Sequence, residues 1–193
     1  MPRFVSLAAP VAALACAAAL IGFAAWLPGY SHLQHPVGLA GSTGLPRATA
    51  FNLLAFVVPG TLAALAAHAL RGRLSGAPWS ARIGAQALLL SGLAFAVQGV
   101  FPLDLRDIDA GSSRLHAAAW TAWWLSFAVA GVLLAVGLRE GALRATGRVA
   151  ALSATGGVFL ALAGPLLLPA GLCQRVAFAA WFLALWWCSR RQP

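Results

Sequence analysis

Lysine is absent from this 193-residue chain, and only four of its side chains are acidic. With 9% charged against 61% hydrophobic residues, too little polar surface exists to solvate a globular domain of this length. Cysteine is nearly as scarce. Cys16, Cys173 and Cys188 form no CxxC motif, and the last two fall about 22 Å apart along one predicted helix, beyond the reach of a disulfide. The three thiols are expected to act as small buried hydrophobes. There is no long polar linker, no GxSxG, no HExxH, no P-loop and no dinucleotide fingerprint, so the common hydrolase, zincin and nucleotide-binding signatures are excluded.

What remains is apolar sequence in long runs. A helix needs about 20 mostly apolar residues to cross a bilayer core of roughly 30 Å. Six stretches satisfy this: Ser6–Pro28, Thr49–Leu70, Ile83–Phe101, His116–Leu138, Val149–Leu168 and Arg175–Ser189. Alanine and leucine dominate them, and lipid tolerates no unpaired backbone, so helices are expected. Segments of alternating hydrophobicity, the mark of a membrane barrel, are missing. The expected fold is all-α: a single polytopic bundle of six transmembrane helices spanning residues 1–193.

The arginines orient it. Nine of the 13 basic residues (Arg3, Arg71, Arg73, Arg82, Arg139, Arg144, Arg148, Arg190 and Arg191) fall on the side shared by both termini. Positive charge concentrates on the cytoplasmic side, so both termini are expected there. The net charge of +9 then reflects topology and anionic lipid at the inner leaflet rather than nucleic acid, since the arginines are dispersed and lack interleaved aromatics. Ala13-Leu14-Ala15-Cys16 only partly matches a lipoprotein cleavage site, with Ala13 where leucine is usual, and an uncleaved first helix is expected.

Small residues at Gly131, Gly137, Gly156, Gly157 and Gly164 suit close helix contact, and Pro59 and Pro165 suit kinks. Trp120, Trp123, Trp124, Trp181, Trp186 and Trp187 resemble interface belts in part. Gln86, Gln98 and Gln174 are expected to act as interhelical glue.

The functional signal is an asymmetry. Asp104, Asp107 and Asp109 supply three of the four acidic residues, and His32, His35 and His116 three of the four histidines, all in or beside loops on the outer side. Pro102 ends the third span, so Asp104 sits at the headgroup boundary; Ser112 or Ser113 is placed to cap the fourth helix, and His116 falls in its first turn. Asn52, one turn inside the second span, points toward the same level. Asp104 and His116 are the candidate catalytic pair, expected to interact directly or through one water or ion. Asn52, His35, Arg114 and Arg175 are candidate binding residues, Arg175 for an anionic headgroup. A structural polar lock and a metal site are the competing readings; no residue is assigned as a metal ligand and no cofactor is identified. His32 and His35 have loop spacing that carries little metal signal.

These residues carry a resemblance. Tyr30-Ser31-His32-Leu33-Gln34-His35-Pro36-Val37, then Gly41, Phe51-Asn52, Gly99-x-Phe101-Pro102-x-Asp104 and His116 resemble the bacterial family catalogued as domain of unknown function 998, over about the first four helices. Members often carry Ser-Asp before the glycine, where this chain has Gly38 and Leu39. The resemblance implies a six-helix protein of the bacterial inner membrane, without assigned biochemistry, whose polar set is Asn52, Asp104 and His116. Two functions follow as expectations: a non-enzymatic module binding membrane lipids or headgroups, with a protein partner or a second copy of itself, or an embedded hydrolase acting on a lipid or isoprenoid through the Asp/His pair.

Overall fold

The computed structural model describes residues 3–190, so Arg191 lies outside the described residues. Six helices are long and apolar enough to span a membrane, and no strand occurs among the described residues. They are α1 (Arg3–Ala24), α2 (Ala48–Arg73), α3 (Trp79–Val100), α4 (Gly111–Gly137), α5 (Arg144–Leu162) and α6 (Ala170–Arg190). The chain is a multi-pass membrane protein. Each helix from α2 to α6 packs on its sequence neighbour, α6 closes back onto α2, and α1 lies against α2 and α6. Segments 25–47, 101–110 and 163–169 therefore gather at one end of the bundle, here the distal end.

Helix limits shift from the expected ones by a few residues for identifiable reasons. Pro78 precedes α3, where its missing N–H costs nothing, so α3 starts at Trp79 rather than Ile83. Pro165, expected to kink the fifth helix, instead lies beyond its end in a short 3-10 turn, Gly164–Leu166. Pro59 does act within α2: a π-turn over Leu53–Val57 precedes it, a wider spacing that absorbs the hydrogen bond the proline cannot donate. Ser112 and Ser113 do not cap α4. Its N-cap is Ala110, without a side-chain bond, because Ser113 is spent on the preceding loop.

Glycines set the helix spacing. A Cβ on Gly60 would collide with the α3 backbone at Gly92 and Ala96, and one on Gly92 with Ala64 of α2. Gly131 faces Ala154, and Gly157 faces Phe127 across the bundle. Gly156 has open space beside it and faces outward instead.

The core is aromatic. Phe95 of α3 stacks on Trp181 at 4.8 Å between centroids and meets Phe178 edge-on at 4.8 Å; Trp123 meets Phe178 at 5.1 Å. Trp123 and Trp181 are fully buried, which corrects their assignment to interface belts. The Trp181 indole N–H is satisfied inside the bundle by the Ser91 hydroxyl at 2.9 Å. The α2 and α6 ends are tied by Arg73, whose guanidinium donates to the Cys188 and Ser189 carbonyls, two of the orphan acceptors that end α6. All three cysteines are free and buried.

Candidate functional site: a loop-capped polar layer

Segment 25–47 folds back over the distal end, and its backbone needs explain how. A loop lying on helix ends must find partners for its own N–H and C=O groups. The first half finds them on α6. Leu33 O accepts the Leu172 N–H at 3.0 Å, and the Val37 N–H donates to the Gln174 amide oxygen at 2.6 Å. Arg175 supplies the rest. One of its terminal nitrogens donates to the His35 and Gly171 carbonyls at 2.9 and 2.8 Å, the other to the Tyr30 hydroxyl at 2.6 Å. Burial pushes the Tyr30 phenol above its ordinary value, with the Arg175 charge pulling partly back, so the hydroxyl keeps its proton and donates to Pro36 O at 3.4 Å.

The second half is a 3-10 turn, Val37–Gly41, packed on α2 beside α1 and α6, with His116 of α4 next to Gly38. Asn52 donates to the Gly41 carbonyl at 2.7 Å, so close that a Cβ on Gly41 would overlap the Asn52 amide. Thr43 N–H donates to Leu103 O at 2.8 Å, joining this turn to the α3–α4 loop.

His116 is buried in the second turn of α4, deeper than the first-turn position expected of it. Its Nδ1 faces two carbonyls that end α3, Gln98 O at 2.9 Å and Phe101 O at 3.0 Å. Carbonyls only accept, so Nδ1 is assigned the proton and Nε2 keeps a basic lone pair. That Nε2 edge lies under Gly38, where a built Cβ would come within 3.0 Å of it. The imidazole therefore seals the end of α3 on one side and meets the loop turn on the other.

Asp104 takes a different course. Its carboxylate accepts the Arg106 N–H at 2.9 Å, and its own N–H donates to the Ser113 hydroxyl at 2.9 Å. No hydrogen bond joins Asp104 to His116 among the described residues; each finishes a separate backbone need. The structure thus brings Asn52 and His116 together beneath the 37–41 turn and sets Arg175 with the His35 carbonyl on the α6 side. The His35 ring is turned into its own loop, where Nδ1 accepts the Ser31 N–H at 2.9 Å. Arg114 is exposed on α4.

Sequence reasoning missed Tyr30 and Gln174 as members of this layer. Tyr30 is the only tyrosine in the chain, a signal available but unused. Gln98 was expected as glue, yet its fully buried amide has no partner at either atom among the described residues, while its backbone carbonyl bonds His116.

Two features define a class: a six-helix membrane bundle, and a polar layer at one end of it capped by a folded-back loop. The family follows from the whole chain. Residues 10–190 match the family model described as protein of unknown function (DUF998), and the chain belongs to that family. No curated protein and no solved structure matches it.

Proposed function

We propose that this protein binds lipid at the outer boundary of a bacterial inner membrane, holding an anionic headgroup at its distal end. One observation carries the reading: Arg175 is a partly buried guanidinium with only neutral acceptors around it. Arg139–Glu140 is the one ion pair among the described residues, so no carboxylate answers the Arg175 charge. Its Nε–H is buried with no partner among the described residues. A guanidinium offers five donors, and phosphate is the anion whose geometry suits that fork. A cation at a membrane boundary without a protein counter-ion is a standing demand for an anion from the lipid.

Orientation rests on arginine asymmetry. Arg71, Arg73, Arg82, Arg139, Arg144 and Arg148 flank the proximal loops, which assigns the proximal end to the cytoplasm and the distal cap to the outer leaflet. The hydrolase alternative draws on the free Nε2 of His116, a neutral base by tautomer. It would require Asp104 to leave its Arg106 contact, and headgroup binding needs no such rearrangement.

The test compares anionic phospholipid retained through purification in mild detergent. Arg175→Gln is expected to lower it about tenfold, the equivalent of about 1.4 kcal/mol, whereas Arg114→Gln on the exposed α4 face leaves it unchanged. Equal retention by all three proteins removes Arg175 as a headgroup ligand.

A further inference from the structure

Among the described residues, two grooves of similar size open on the sides of the bundle. One, of roughly 400 Å³, runs between α1 and α6; the other, of roughly 390 Å³, runs between α4 and α5. Both fall within the range of lipid and small-molecule sites. They differ in one respect. The α1/α6 groove includes Arg175, while the α4/α5 groove is lined by apolar and small side chains such as Val132, Ala151 and Val158, with no charged group.

We propose that the α1/α6 groove is a selective site for a phospholipid of net negative charge, its chain lying along the groove and its phosphate on Arg175. This rests on the headgroup reading above and adds the ligand class and the route of entry. Cys16, Phe178 and Phe182 form a buried floor, and the flanking Leu14, Leu183 and Trp186 are exposed to the hydrocarbon. The groove is thus open sideways to lipid. Along α6 it extends from Arg175 to Trp186, eleven residues that rise about 16 Å. That is about half the length of α6, which runs on to Arg190 at the proximal end, so the groove crosses the middle of the bundle. A chain lying in it starts at the Arg175 guanidinium and runs along α6 toward Trp186, about one turn short of Arg190. A free phosphate would use only the upper end and leave the apolar floor in contact with nothing that selects for it.

The groove also explains a peculiarity of Arg175. Three of its N–H groups are committed to His35 O, Gly171 O and the Tyr30 hydroxyl, which leaves the Nε–H and one terminal N–H without protein acceptors. The committed bonds hold the side chain against the loop, so the cation is positioned before any lipid arrives.

The experiment uses the full chain in nanodiscs of phosphatidylcholine containing a minor fraction of phosphatidylglycerol, with bound lipid read by native mass spectrometry. Phosphatidylglycerol is expected to be enriched several-fold over its bilayer share. Ala179→Trp, on the exposed rim of the groove, should return the ratio to that of the bilayer, and Val132→Trp in the uncharged groove should not change it. Excess inorganic phosphate should displace nothing. If the enrichment is lost in Arg175→Gln but kept in Ala179→Trp, the headgroup reading stands and the groove proposal falls. Displacement by inorganic phosphate likewise overturns the groove. No enrichment in the unaltered protein overturns both. Ala179 makes none of the loop contacts, so the test survives even where Arg175→Gln weakens the fold.

Discussion

At the scale of single residues, the distal cap depends on side chains that repair backbone. Asn52 and His116 both do so: one bonds the Gly41 carbonyl, the other two carbonyls at the end of α3. A buried acceptor left unpaired costs about 1–3 kcal/mol. Asn52→Ala is therefore expected to lower stability by about that amount in detergent melting. Gly41→Ala should cost about 1–3 kcal/mol as well, by overpacking against the same amide. Because both changes act on one contact, the double variant should lose less than the sum. Full additivity would show that the 37–41 turn does not rest on Asn52.

Between helices, spacing is governed by where a side chain would meet backbone rather than by how many glycines a helix contains. Gly92 faces Ala64 of α2 so closely that nothing larger fits without moving a helix. Gly156 has no neighbour within 4 Å. Gly92→Leu should thus lower the melting temperature by several degrees, and Gly156→Leu should leave it unchanged. Equal effects at the two sites would mean that the α2/α3 contact adjusts freely. Sequence inspection had grouped Gly156 with Gly157, because adjacent glycines look alike until the helix phase is known; one faces Phe127 and its neighbour faces outward.

For the molecule as a whole, length and hydropathy were enough to locate six helices, since lipid leaves so few backbone solutions. The site was less legible. Asn52, His116 and Arg175 stand out in the sequence as polar groups in or beside apolar runs, and each bonds backbone at the distal end. Their partners do not stand out, because these are mostly backbone carbonyls, and no sequence marks which carbonyl a loop will offer. The expected contact between Asp104 and His116 came from placing both at one depth, and depth alone does not fix direction: Asp104 turns into its own loop. Topology remains open to a direct check. Reporter fusions at residue 193 and within 74–78 are expected to read cytoplasmic; a periplasmic signal from both would reverse the proposed orientation, and one from either alone would overturn the six-span arrangement.

The cap also imposes an order on assembly. The long-range bonds that tie Tyr30, Leu33, His35 and Val37 down are made with Leu172, Gln174 and Arg175, some 137 to 145 positions later where side chains are involved. During synthesis the first connecting segment emerges early and then waits through four further helices for the element that fastens it. The cap is therefore completed late: the sixth helix is the one that closes the loop leaving the first.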